Sequence, residues 1–356
     1  MMSFAELPSV AVNPVLLLLI GIAVGAVAGF IGVGGGFMLT PTLIVLGFPG
    51  SVAVGTGLAA IAGNSVVATM RHRQLGNVDV KLAAITIIGS LGGVEAGVRL
   101  VNWLKAQGLA DEAILSASLL LTAFIALFTG WETRRAKRRL DAMAAAGRSL
   151  QRDAVASESS RWLQGIGLWP VIYLPHSRVR ISAWVLVGIG FVTGTLSGLL
   201  GVGGGFVLSP TMIYLVGIPS HITVGSDLLQ IVFTAGYGVV RHTMSGNVII
   251  FASFLIMLGA SLGTQIGSLA TRYVSGPAVR LVLSLAVGFA AIGTAFQLTG
   301  VLLDRATGLF DALAKISLLG GMGVLAVLIS VFLVLGVMRQ HGRKIARWAE
   351  SLVVGH

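Results

Sequence analysis

The stretch GFIGVGGGFMLTP, Gly29–Pro41, decides how this chain is read. It breaks an apolar segment with Gly32, Gly34, Gly35 and Gly36, then resumes at Phe37 and reaches a proline. It returns at Gly198–Pro210 as GLLGVGGGFVLSP, where Gly201, Gly203, Gly204, Gly205, Phe206 and Pro210 fall in the same register. Unpaired backbone groups in a lipid interior cost several kcal/mol each, so such a break survives only where protein, water or a ligand satisfies them.

Working outward, each break sits in the same surroundings. Val54-Gly55-Thr56 follows the first and Val224-Gly225-Ser226 the second. The next span closes on Arg71-His72…Gly76-Asn77-Val78 in one case and Arg241-His242…Gly246-Asn247-Val248 in the other. The span after that carries Gly89, Gly93 and Gly97, matched by Gly259, Gly263 and Gly267. Glycine at every fourth position lets a neighbouring helix approach closely. A register held this long marks an internal duplication. Duplicated halves around a central site are the usual build of secondary transporters.

The composition fixes the surroundings. The chain has 356 residues, 55% hydrophobic and 10% charged, with a mean hydropathy of +0.94. A soluble domain carries about 25% charged residues. The apolar runs are of the length that crosses a hydrocarbon core, about 20 residues. The fold class expected is all-α, a polytopic integral membrane protein with two four-helix repeats, each with a broken first helix. The first repeat covers 13–131 and the second 181–300, with an extra C-terminal helix at 314–338. With no cysteine, disulfides and thiolate chemistry are excluded. The N-terminus has no basic n-region or small-residue cleavage site, so the helix from Val15 onward is expected to be retained.

Of the 24 Lys and Arg, ten lie between Arg134 and Arg180. The pI near 11 invites nucleic acid as a partner, but basic loops beside membrane helices are what sets topology. No nucleic acid is expected. The segment 132–180 reads as a basic cytoplasmic linker, helical at its start, ending in Trp162–Leu174, an interfacial segment. Counting each broken helix as one crossing puts both Arg-His turns on the linker's side and makes the repeats parallel. That arrangement is the expectation. It leaves Arg339, Arg343, Lys344 and Arg347 outside, against the positive-inside rule. Treating each break as the tip of a re-entrant hairpin changes the parity and moves the N-terminus outside.

With these residues in hand, the chain resembles the TauE/SafE family, also called the sulfite exporter or toluene-sulfonate-uptake permease family. The doubled G-x-x-G-V-G-G-G-F-x-L-x-P motif, V-G-[TS] and R-H-x-x-x-G-N-V carry the resemblance. It implies a secondary transporter of a small organic or inorganic sulfur anion, such as sulfite, sulfoacetate or another sulfonate, usually by export. The basic linker and the extra helix go beyond the compact eight-helix family plan.

The residues suggest how an anion would be held. Gly32–Gly36 and Gly201–Gly205 can turn backbone N–H groups inward, followed at once by a helix N-terminus, whose partial charge attracts anions. Substrate-binding candidates are therefore Gly32, Gly34, Gly35, Gly36, Gly201, Gly203, Gly204 and Gly205. Thr56, Ser226, Asn64 and Gln230 offer uncharged polar groups on the following helices. Arg71, His72, Arg241 and His242 would line the cytoplasmic approach, with histidine able to carry a proton near neutral pH. Asp227, where the first copy has Gly57, is the candidate for proton or cation coupling. Glu95, matched by Gln265, is the other intramembrane acid. A P-loop needs Lys after its last glycine, and Phe37 and Phe206 stand there instead. No cofactor, metal set or catalytic triad is legible, so no enzyme is expected. The rival readings are a channel-like anion permease and uptake rather than export.

Overall fold

The computed structural model describes residues 12–31, 34–74, 76–145, 168–175, 179–274, 276–303 and 308–341. Within them the first half consists of α1 (Pro14–Ile31), α2 (Gly36–Val45), α3 (Gly50–Gln74), α4 (Val80–Ala106) and α5 (Ala110–Ala145). A short antiparallel pair follows, β1 (Val171–Leu174) and β2 (Val179–Ser182). The second half has α6 (Ala183–Leu200), α7 (Gly205–Pro210), α8 (Ser220–Met244), α9 (Ile250–Ala270) and α10 (Gly276–Leu302), with a π-helical turn, Thr211–Val216, extending α7. Last come α11 (Gly308–Lys315) and α12 (Gly321–Gln340), joined by a second π-helical turn. Nine helical stretches among the described residues are long and apolar enough to cross a membrane. The protein is an all-α polytopic membrane protein.

The glycine ridges place the helices. A methyl group added at Gly89, Gly93 or Gly97 would overlap the carbonyl oxygens of Val187, Phe191 and Thr195 on α6. Gly190, Gly194 and Gly198 of α6 face Thr86, Ser90 and Val94 in return. The same reciprocal contact joins α1 and α9, with Gly21, Gly25 and Gly29 against Ile256, Ala260 and Thr264. The first helix of each copy therefore packs on the third long helix of the other. Both pairs run parallel, since the contact register rises on both sides.

Cross-copy contacts settle the relative direction of the repeats. Gly55, near the start of α3, touches Asn247 beyond the end of α8, and Gly225, near the start of α8, touches Asn77 beyond the end of α3. Thus α3 and α8 are antiparallel. Helix α4 runs parallel to α8, through Ser90–Thr234, Glu95–Arg241 and Asn102–Ser245. Helix α9 runs parallel to α3, through Ile249–Thr56, Met257–Gly63 and Thr264–Asn64. Helix α2 opposes α3, with Gly36 against Ile61 and Thr40 beside Gly57. Since α1 parallels α9 and hence α3, the chain reverses between α1 and α2.

This corrects the parallel arrangement expected from the sequence. Each glycine break is the tip of a hairpin, not a kink in one crossing, and the two copies are inverted. The two Arg-His turns therefore lie on opposite faces, here called the His72 face and the His242 face. The conflict over the C-terminal tail disappears with this change. Helix α5 begins at the His242 face, where the Gly50 N–H donates to Asp111 Oδ1 (2.6 Å), and so carries Arg134–Arg139 to the His72 face. Helix α12 ends beside Tyr273, whose hydroxyl donates to Gln340 Oε1 (3.1 Å), on that same face. Arg343, Lys344, Arg347 and the middle of the linker lie outside the described residues. Within Trp162–Leu174, the described part ends in β1 with Trp169 exposed.

Candidate functional site

The two hairpin tips meet at the centre of the molecule. Gly34 and Gly35 have φ of 82° and 72°, and Gly203 and Gly204 have φ of 79° and 93°. L-residues with side chains resist this left-handed region, which is why the tips are built from glycine. Gly36 lies against Gly201 and Val202 of the other tip. Phe37 and Phe206 stack with ring centroids 4.2 Å apart and planes 9° apart. Ile61 and Ile231, at matched positions of α3 and α8, fill the remaining space, Ile61 against Gly36 and Gly203 and Ile231 against Gly34 and Gly203. The breaks face one another, and side chains close the space between them.

A cavity of mostly apolar surface, with Ala28, Val67, Ala68 and Leu228 in its walls beside several polar side chains, starts at one tip and runs toward the His72 face. It is lined by Gly29 and Gly34, by Asn64, Ser65 and His72 of α3, and by Ser261, Thr264, Gln265 and Ser268 of α9. Asn64 Nδ2 donates to Thr264 Oγ1 (3.0 Å), and Thr264 in turn donates to the Gly25 carbonyl (3.2 Å). The buried Asn64 Oδ1 has no protein partner. A second cleft, between α5 and the α7 turn, is walled by Leu121, Phe124, Phe128, Val207 and Leu215. Its apolar walls offer nothing to hold a charged solute.

The other candidates are placed as follows. Thr56 Oγ1 accepts from the Ile249 N–H (3.1 Å) and Ser226 Oγ from the Asp79 N–H (2.9 Å). Both hydroxyls pin the turn of the opposite copy and stand apart from the cavity. Asp227 is 1% exposed; Ser209 Oγ donates to its Oδ2 (2.7 Å), while Oδ1 has no partner. Gln230, one turn on, is fully buried with neither amide atom paired. Arg241 is tied to Glu95 through Nε (2.6 Å) and Nη2 (2.9 Å). His242 is fully buried, its Nε2 within 3.0 Å of the Gly198 carbonyl, so it lines no vestibule. Gly32 and the side chain of Arg71 lie outside the described residues. Gly34 is the tip glycine that lines the cavity, while Gly35, Gly36, Gly201, Gly203, Gly204 and Gly205 shape the closed tips.

Sequence reading missed the α9 wall. Ser261, Thr264, Gln265 and Ser268 recur at three- and four-residue steps, a polar stripe on one helix face. That signal was overshadowed by the glycine ridge beside it. No group of three or more His, Cys, Asp or Glu among the described residues could hold a metal ion.

With this geometry in view, residues 17–294 match the family model described as Sulfite exporter TauE/SafE. The chain belongs to the TauE/SafE family. This TauE/SafE member is 26% identical over 281 residues to the probable membrane transporter protein YunE of Bacillus subtilis (strain 168), covering 76% of this chain and 93% of that one. It is 25% identical over 261 residues to YjnA of the same organism, also a probable membrane transporter protein, covering 71% and 89%. A probable membrane transporter protein of Methanocaldococcus jannaschii, MJ0441, is 28% identical over 204 residues, covering 55% and 60%. No solved structure matches the chain. Family and relatives together make this protein a membrane transporter.

Proposed function

We propose that this protein is a secondary transporter, not an enzyme, that exports a small organosulfur anion such as sulfite, sulfoacetate or a related sulfonate. The observation that carries the reading is the cavity running from Gly34 to His72, with the amides of Asn64 and Gln265 in its walls. Its walls hold the side-chain amides of Asn64 and Gln265 and no carboxylate, which suits the oxygens of a sulfite or sulfonate, while the Ser261, Thr264 and Ser268 hydroxyls are spent on backbone carbonyls. Such an anion would bind beside the Gly34 tip with the Asn64 and Gln265 amides around it. The first N–H groups of α2, unpaired within the helix, would add favourable charge. The second tip, with Gly203, would take the same role when the other face opens.

Alternating access would then be a rocking of one copy against the other about the Phe37–Phe206 contact, as inverted repeats allow. The positive-inside rule puts the His72 face, with Arg73, the Arg134–Arg139 run and Arg339, in the cytoplasm. The protein would reside in the cytoplasmic membrane, with the start of α1 on the outer side. Asp227 is the coupling residue in this reading, because a buried intramembrane carboxylate with an open oxygen can take up a proton or a cation. Uptake by a proteoliposome panel of sulfite, sulfoacetate, taurine, thiosulfate and sulfate tests the substrate class. Selective movement of one or more of the sulfur oxyanions supports it, and indifference to all five contradicts it.

A further inference from the structure

The inverted copies are not equivalent at their two faces. On the His242 face, the α4–α8 seam is closed by a row of polar contacts. Glu95 takes both nitrogens of Arg241, the Tyr237 hydroxyl (2.9 Å) and Arg99 Nε (2.8 Å). Farther along, Asn102 Nδ2 donates to Ser245 Oγ (2.9 Å) and Lys105 Nζ to Asn247 Oδ1 (2.5 Å). On the His72 face, the corresponding seam is α3–α9. There Gln265 stands at the place of Glu95, Val67 at that of Tyr237 and Leu269 at that of Arg99. That seam holds the cavity and is bridged by Asn64 and Thr264.

We propose that the α4–α8 seam is the closed outer gate of the resting protein, latched by Glu95 on Arg241. The latch biases the transporter toward the state open at the His72 face. Glu95 sits between Gly93 and Gly97, where α4 touches the end of α6 that leads into the second tip, so its release would be felt there. The two-nitrogen grip on Glu95, with Tyr237 and Arg99 on the same carboxylate, makes a network that holds better than an ordinary half-exposed ion pair. The Gln265 position lacks that charge, so the α3–α9 seam has no counterpart of the Glu95 carboxylate. Arg241 is thus a positioning residue, not an anion ligand, in this state.

The inference rests on the alternating-access reading, and the absence of cysteine makes it directly testable. Thr234→Cys puts a thiol inside the α4–α8 seam, and Ser261→Cys puts one in the open cavity. Adding Glu95→Gln, the residue of the other copy, should speed maleimide labelling at position 234 by about tenfold or more and slow it at position 261. Unchanged rates at both positions overturn the latch. A second variant covers loss of folding: Asn102→Cys with Ser245→Cys, oxidised across the seam. It should stop counterflow, leave a thiol at position 261 reactive, and recover on reduction. Transport that continues with the seam locked overturns the gate. Labelling is read without substrate, so failure of the substrate panel with a shifted labelling pattern rejects the site and leaves the latch standing.

Discussion

Phe37 and Phe206, each the residue after the last glycine of its break, stack ring on ring at the centre of the two inverted copies, 4.2 Å apart. The contact joins two chain reversals that are far apart in sequence. Both rings are buried, at 3% and 1% exposure. Phe37→Ala should lower stability by about 3–5 kcal/mol, the usual cost of emptying a buried aromatic site. Thermal unfolding in detergent measures it, and an unchanged midpoint would show that the stack is incidental.

Two glycine substitutions should behave oppositely. A methyl group at Gly25 meets the backbone of Ala260 on α9, whereas one at Gly188 of α6 meets nothing within 4 Å. Gly25→Ala should destabilise the protein by about 1–3 kcal/mol through overpacking. Gly188→Ala should be neutral or stabilise it by up to about 1 kcal/mol through helix propensity. Equal shifts in the two melting curves would count against the interlocked α1–α9 packing.

Sidedness distinguishes inverted from parallel copies. Arg73 and Thr243 occupy matched turns and are both exposed. With Arg73→Cys and Thr243→Cys made singly in the cysteine-free chain, an impermeant thiol reagent added outside cells should reach position 243 and not 73. Labelling of both from the same side would restore the parallel arrangement.

Asp227 is buried with one carboxylate oxygen held by Ser209 and the other open. Asp227→Asn keeps the shape and removes the titration. Flux should then lose its dependence on pH or on the coupling cation while substrate binding persists. A pH profile that keeps the parental slope would take the coupling role away from this residue.

Much of this architecture is legible in the residues themselves. The apolar spans, the doubled break and the ridge at Gly89, Gly93 and Gly97 follow from spacing alone. The direction of the second copy does not, because glycine spacing cannot tell a kink from a reversal, and parity turns on that choice. The basic tail on the wrong side is the sequence's own sign that a break reverses the chain instead of continuing one crossing. Thr56 and Ser226 look like ligands in sequence because they are polar and intramembrane. Tertiary packing spends them on the Ile249 and Asp79 amides instead. Likewise, the two matched histidines differ, His72 lining the cavity and His242 buried against the Gly198 carbonyl, and Arg241 is held in the seam by Glu95.

The central claim is that the cavity beside Gly34 binds a sulfur oxyanion and delivers it by alternating access. Counterflow tests it most directly, with proteoliposomes preloaded with unlabelled sulfite or sulfoacetate and diluted into labelled substrate. The parent protein should show a transient overshoot of label. Asn64→Leu, which removes the amide's second N–H donor and the bridge to Thr264, should weaken apparent affinity by about tenfold. Simple equilibration without an overshoot would contradict the account and point to a pore.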